Sequence, residues 1–354
     1  MKQLRRAVRK RTLPHTALTL PECGVTVAPM PAGLLRVKVM LAVATSALCL
    51  AAWAPVDAAE QPRGTEPLEV VATIPVLKDL AEHVGGAHVR VVSLLSGLEN
   101  EHSYSPKPSD LVAVRKARVL LEVGLGLEVW VSSLVRNSGN NRLVVVTTSK
   151  GIALLRDHEP PNGGVGQAAD ARFTQQGDHH EGNPHIWLDP ENAKIMMRHI
   201  TEAFIAADAA HASAYRDNQA AYLRQLDQLQ AELAERLSRL SDRRIIVHHP
   251  AWPYFARRFK FRIAGEIVRQ SGAEPSARHL QELIAAIRKD RIRVVVSEPQ
   301  LNQKIPEVLA RETGARVVVL TALPGGIAGT ETYLDMLRYN VLTLAEALET
   351  AKPS

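Results

Sequence analysis

Short apolar, β-branched runs alternate with helical patterns along most of the chain. "LEVVATIPV" (68–76) precedes "LKDLAEHVG", and "HVRVVSLL" (88–95) precedes a turn and "SDLVAVRKA". "RVLLEVG" (118–124) and "RLVVVTT" (142–148) follow. After about residue 242 the pattern resumes with "RIIVHH" (244–249) before "AWPYFARRF", then "IRVVVSEP" (292–299), "IPEVLARETG" and "ARVVVL" (315–320). Continuous Val/Ile runs broken by helices predict mainly parallel sheets covered by helices on both faces. The two sets predict an α/β fold of two lobes.

The stretch between them has another texture. From Pro190 to Leu240 glycine is almost absent, and Leu223, Leu226, Leu229, Leu233, Leu237 and Leu240 recur at steps of three and four. This predicts an amphipathic helix packed against the lobes, a long rigid strut that limits hinge motion. A coiled-coil seam is the alternative, but the stripe is short for one. The expected organisation is a leader over 1–58, an N-terminal lobe over 66–189, a helical linker over 190–240 and a C-terminal lobe over 241–354.

Charge changes the picture only at the start. Residues 1–58 hold eight Lys/Arg against Glu22 and Asp57, and so carry the whole net charge of +6. The neutral remainder argues against a nucleic-acid partner. The apolar run Val39–Trp53, with a basic flank before it and small residues after it, predicts an export signal cleaved near Ala58 or Ala59, with Met30 and Met40 as alternative starts. The expected location is the periplasm. Both cysteines, Cys23 and Cys49, lie in this leader. Leu48 stands before Cys49 where a lipidation signal prefers a small residue. The exported chain then has no thiol, so any soft-metal site must use imidazole and carboxylate.

Thirteen histidines are present. His15 lies in the leader, and His83, His88, His199, His211 and His279 fall in helical or strand-edge contexts. His102, His185 and His249 occupy turn-rich segments that follow strands. They are either polar loop residues or ligands that meet where strand ends converge, the usual binding place of open α/β sheets. Asp189 reads as a helix N-cap with Pro190 at the first position and Glu191 in the first turn.

The runs "EHSYSPKPSD", "HHEGNPHIWLDPENA", "HHPAWPYFARRF" and "EPQLNQKIPEVLARETGARVVVL", in this order, resemble the metal-binding solute-binding proteins of bacterial ABC importers, the cluster A-I group for zinc and manganese. The resemblance runs from the leader to "YLDMLRYNV". It implies two α/β lobes joined by a long helix, a metal held between them, and docking on a permease of the cytoplasmic membrane by a monomeric carrier. The family's three histidine ligands fall on His102, His185 and His249, and its tyrosine on Tyr254. The family's frequent fourth ligand, an aspartate, is absent: Thr321 stands there, a poor zinc ligand. Glu298 at the end of "VVVSE", Glu101 beside the first histidine, and water are the candidates for that place. His248 should face away from His249, as neighbours in a strand do.

Three imidazoles and one oxygen suit Zn(II), whereas Mn(II) prefers oxygen, and manganese members typically carry a carboxylate where this chain has His249. His158, Asp178, His179 and His180 resemble a short version of the family's His-rich loop, either a zinc antenna or a silent loop. A manganese-binding homologue and a zinc-dependent adhesion protein are the neighbouring readings. A zinc hydrolase would use Glu101 or Glu298 as general base, but no HExxH helix or GxSxG elbow is present. No catalytic residue is expected.

Overall fold

The computed structural model describes residues 66–155, 182–268 and 274–350, all within one compact unit that begins at Glu66. The first sheet contains β1 (Leu68–Ala72), β2 (Val89–Ser93), β3 (Val119–Glu122) and β4 (Val144–Thr147) in the order β2-β1-β3-β4. The second contains β5 (Arg244–Val247), β6 (Arg262–Glu266), β7 (Val294–Ser297) and β8 (Arg316–Val319) in the order β6-β5-β7-β8. Every pairing is parallel. The two lobes therefore repeat one topology, with the chain reversing direction across the sheet after the second strand of each. Such a reversal opens a crevice at the carboxyl ends of the strands.

Helices α1 (Pro75–Gly85), α2 (Pro108–Lys116) and α3 (Val131–Ser138) accompany the first sheet. Helices α6 (Pro253–Phe259), α7 (Ala277–Asp290) and α8 (Lys304–Thr313) accompany the second. Between them run α4 (Pro190–Ala207) and α5 (Ala212–Ser238), and α9 (Tyr333–Thr350) closes the described chain. The periodic stretch from Pro190 is thus two helices. They part at Asp208, whose carboxylate accepts from His211 Nδ1 and from Tyr215 Oη on the first turn of α5.

At 27 residues, α5 spans about 40 Å. It buries Tyr215, Tyr222, Leu226, Leu229, Leu233 and Leu237 against α1, α4 and α9. One continuous apolar cluster runs from β1 through α4 and α5 to β5, β7 and α9. The lobes share that core, which makes their relative position a packing property rather than a hinge setting. A smaller cluster around Ile246, Ile287 and Leu309 covers the outer face of the second sheet.

Candidate metal centre

His102 lies in the loop after β2, His185 immediately before a short 3-10 turn leading to α4, and His249 two residues beyond β5. The crevice between the lobes brings all three together. His102 Nε2 and His185 Nε2 are 3.2 Å apart. Ring centroids are 5.1 Å apart for His102–His185, 5.3 Å for His185–His249 and 6.4 Å for His102–His249. Glu101 completes the group: its Oε1 is 3.4 Å from His185 Nε2, and one ligand atom from each of the four residues lies within 4.8 Å of the others. A tetrahedron with arms of ~2.0–2.1 Å has edges of about 3.3–3.4 Å, so the two closest approaches already match zinc geometry.

Hydrogen bonds behind the rings fix their direction. Asn183 Oδ1 accepts from His185 Nδ1 at 3.0 Å, and Glu298 Oε1 accepts from His249 Nδ1 at 2.7 Å. Each bond holds the proton on Nδ1 and leaves the Nε2 lone pair facing the centre. Asn183 also donates through Nδ2 to Pro250 O at 2.6 Å, and its own carbonyl accepts from Tyr254 Oη at 3.0 Å. One asparagine thereby ties the His185 segment to the His249 segment. Trp130 Nε1 donates to Glu101 O, fixing the loop from the other side.

Three of the four groups are sealed from water: Glu101 is 1% exposed, His185 2% and His249 5%, while His102 is half-buried and forms the mouth. Burial, then repulsion from His249, pulls the His185 imidazole down to about 3, so it is a neutral donor. Burial also presses on His249, but the charge and hydrogen bond of Glu298 outweigh it and raise that imidazole. Among the described residues, Glu101 Oε1 is buried without a hydrogen-bond partner. An unpaired carboxylate oxygen in such a place is costly unless a cation meets it.

Glu298, expected among the ligands from its strand-end position, has other neighbours. Its Oε1 accepts from His249 Nδ1 and Trp252 Nε1, and its Oε2 accepts from Gln300 Nε2. It stands behind His249 and outside the group of four. Thr321 Oγ1 donates to Leu323 O within its own turn. His248 turns to Ser297 Oγ at 3.2 Å. His158, Asp178, His179 and His180 lie outside the described residues. Asn183, Trp130 and Trp252 were not singled out in the sequence, and only the position of Asn183, two residues before His185, hinted at its role.

Comparison with known proteins decides the family. Residues 70–347 match the profile of the zinc-uptake complex component A, periplasmic, known as ZnuA. The chain belongs to the ZnuA family. It is similar to the zinc uptake protein ZnuA of Brucella abortus, with 29% identity over 79% of this chain and 91% of that protein. It is also similar to the iron-binding protein YfeA of Yersinia pestis, with 30% identity over 78% of this chain and 85% of the relative. A solved ZnuA crystal structure aligns with a TM-score of 0.68 at 29% identity, covering 80% of this chain and 99% of that one. As a ZnuA-family protein, the chain is a metal-binding solute-binding component of an ABC importer and not an enzyme. Among the described residues no helix is long and apolar enough to cross a membrane.

Proposed function

We propose that this chain captures Zn(II) in the periplasm through His102, His185, His249 and Glu101, and delivers it as cargo to an ABC permease in the cytoplasmic membrane. The observation that carries the reading is Glu101 Oε1, buried and unpaired beside three converging imidazoles. Three borderline nitrogen donors with one carboxylate suit Zn(II) better than Mn(II), which favours an oxygen-rich shell. Glu298 acts from behind, orienting His249 and holding its tautomer. The carrier works as a monomer cut near Ala58 or Ala59, with the lobes at 66–189 and 241–354 and the helical linker at 190–240 between them.

Iron is the second reading, favoured by the likeness to YfeA. Calorimetric titration of the exported chain with Zn(II), Mn(II) and Fe(II) separates these readings. The proposal expects one Zn(II) bound, with affinity at least a hundredfold above that for the others. Equal or tighter Fe(II) or Mn(II) binding overturns the assignment of zinc.

A further inference from the structure

The segment that follows β8 supplies no group to the metal cluster, yet it touches both segments that bring ligands from the first lobe. Ala322 O accepts from Trp187 Nε1 at 2.7 Å, and Tyr333 Oη donates to Trp187 O at 2.6 Å, two residues from His185. Farther along, its glycines meet the loop that leads to Glu101 and His102. A Cβ on Gly97, whose φ is +104°, would stand 2.3 Å from Pro324 O and 3.1 Å from Gly326 N. A Cβ on Gly326 would stand 2.3 Å from Thr321 Oγ1 and 3.0 Å from Gly97 O. At Gly97 backbone lies directly on backbone, and any side chain forces the two loops apart; at Gly326 a side chain meets Thr321 Oγ1 of its own segment first and Gly97 O next. The segment itself is firmly anchored: Asn340 on α9 accepts from Thr321 N and donates to Thr321 O.

We infer that residues 321–333 form a clasp that sets how long metal is retained, with Gly326 and Trp187 as positioning residues. The clasp presses the Gly97 end of the Glu101–His102 loop toward the site and fixes the His185 segment through the Trp187 indole. Glu101 and His102 share one loop between β2 and α2, and His102 lines the mouth, so escape of the ion requires that loop to lift. A clasp seated on Gly97 opposes the lift without contributing a ligand. Thr321 contributes from inside, its hydroxyl closing the turn on Leu323 O and filling the space behind Gly326.

The inference rests on the zinc reading, and the test keeps the two apart. Zinc release into excess chelator is followed by stopped flow for the wild type, Gly326→Ala and Trp187→Phe. The absorption spectrum of the Co(II)-loaded forms reports ligand loss. Gly326→Ala should release zinc at least tenfold faster and shift the Co(II) spectrum, while the metal-free chain still unfolds cooperatively. Trp187→Phe, which deletes the N–H donor and replaces the indole by the smaller phenyl ring, should also release faster. Wild-type release from folded Trp187→Phe overturns the clasp, whether or not Gly326→Ala folds. So does wild-type release from folded Gly326→Ala. Failure of the wild type to bind zinc at all is a different result and strikes the functional proposal instead.

Discussion

His249 Nδ1 and Glu298 Oε1 lie 2.7 Å apart, both buried, at the carboxyl ends of the neighbouring strands β5 and β7. Strand pairing delivers the two side chains to one level, and the bond then fixes which imidazole nitrogen faces the crevice. Trp252 Nε1 adds a second donor to the same carboxylate oxygen at 3.0 Å. Removing the acceptor should therefore loosen the ring without touching a ligand. Glu298→Ala is expected to weaken zinc binding by about 10–100-fold, the usual effect of losing an orienting partner. Competition against a chromophoric chelator measures it, and unchanged affinity would show that His249 is oriented by packing alone.

Glu101 gives a prediction with two signs. Glu101→Gln keeps the size and removes the charge, so zinc affinity should fall by at least a hundredfold. The metal-free protein should melt no lower than wild type, since a buried unpaired carboxylate oxygen is replaced by a neutral group. Zinc at about a thousand times Kd stabilises a folded protein by ~4 kcal/mol, so the wild type should gain several degrees that the variant does not. Calorimetric melting with and without zinc reads both effects.

A third prediction concerns Glu128, remote from the ligands in the described contacts. It sits fully buried, accepting from Thr73 Oγ1, Val123 N and Gly124 N, and burial raises its carboxyl from 4.5 to about 7 despite those donors. The folded state therefore holds the proton that the unfolded chain releases. Its stabilising effect is complete below pH 4.5 and is lost as pH rises through about 7, a difference on the order of 3 kcal/mol. In urea unfolding of the metal-free chain, the stability difference between wild type and Glu128→Gln should show this fall between pH 4.5 and 7.5, because the depressed His185 imidazole shifts both profiles alike. Identical pH profiles for the two would contradict the assignment.

Asp189 serves structure rather than binding. Its carboxylate caps α4 by accepting from Glu191 N, and pairs with Arg258 Nε at 2.6 Å across the lobes. Asp189→Ala should cost about 2–3 kcal/mol from the lost cap and ion pair. Zinc affinity should change less than tenfold once the protein is folded. Denaturant melts and a zinc titration of the same sample check both halves.

The apolar runs made the lobes legible because a strand buried on both faces needs an unbroken Val/Ile stretch, as in β5 and β7. β6 was not legible for the opposite reason: "RIAGE" has one β-branched residue, is charged at both ends and lies at the sheet edge. The three histidines stood out by their place after strands. Their meeting point did not, since separations such as the 83 residues between His102 and His185 carry no local geometry. Glu298 and Glu101 illustrate the limit. Strand alternation indicates the face a side chain takes but not its distance from a site on another lobe. The turn that carries Glu101 beside His102 has no repeating pattern to read. Asn183 was hidden for the same reason, its contacts reaching to Pro250 and Tyr254 in the other lobe.

Diffraction from crystals of the zinc-soaked chain, recorded on both sides of the zinc absorption edge, tests the central claim most directly. The account predicts one strong anomalous peak in the crevice, at ~2.0–2.2 Å from Nε2 of His102, His185 and His249 and from a carboxylate oxygen of Glu101. A peak elsewhere, or one whose fourth protein ligand is Glu298 while Glu101 stays unpaired, would contradict it.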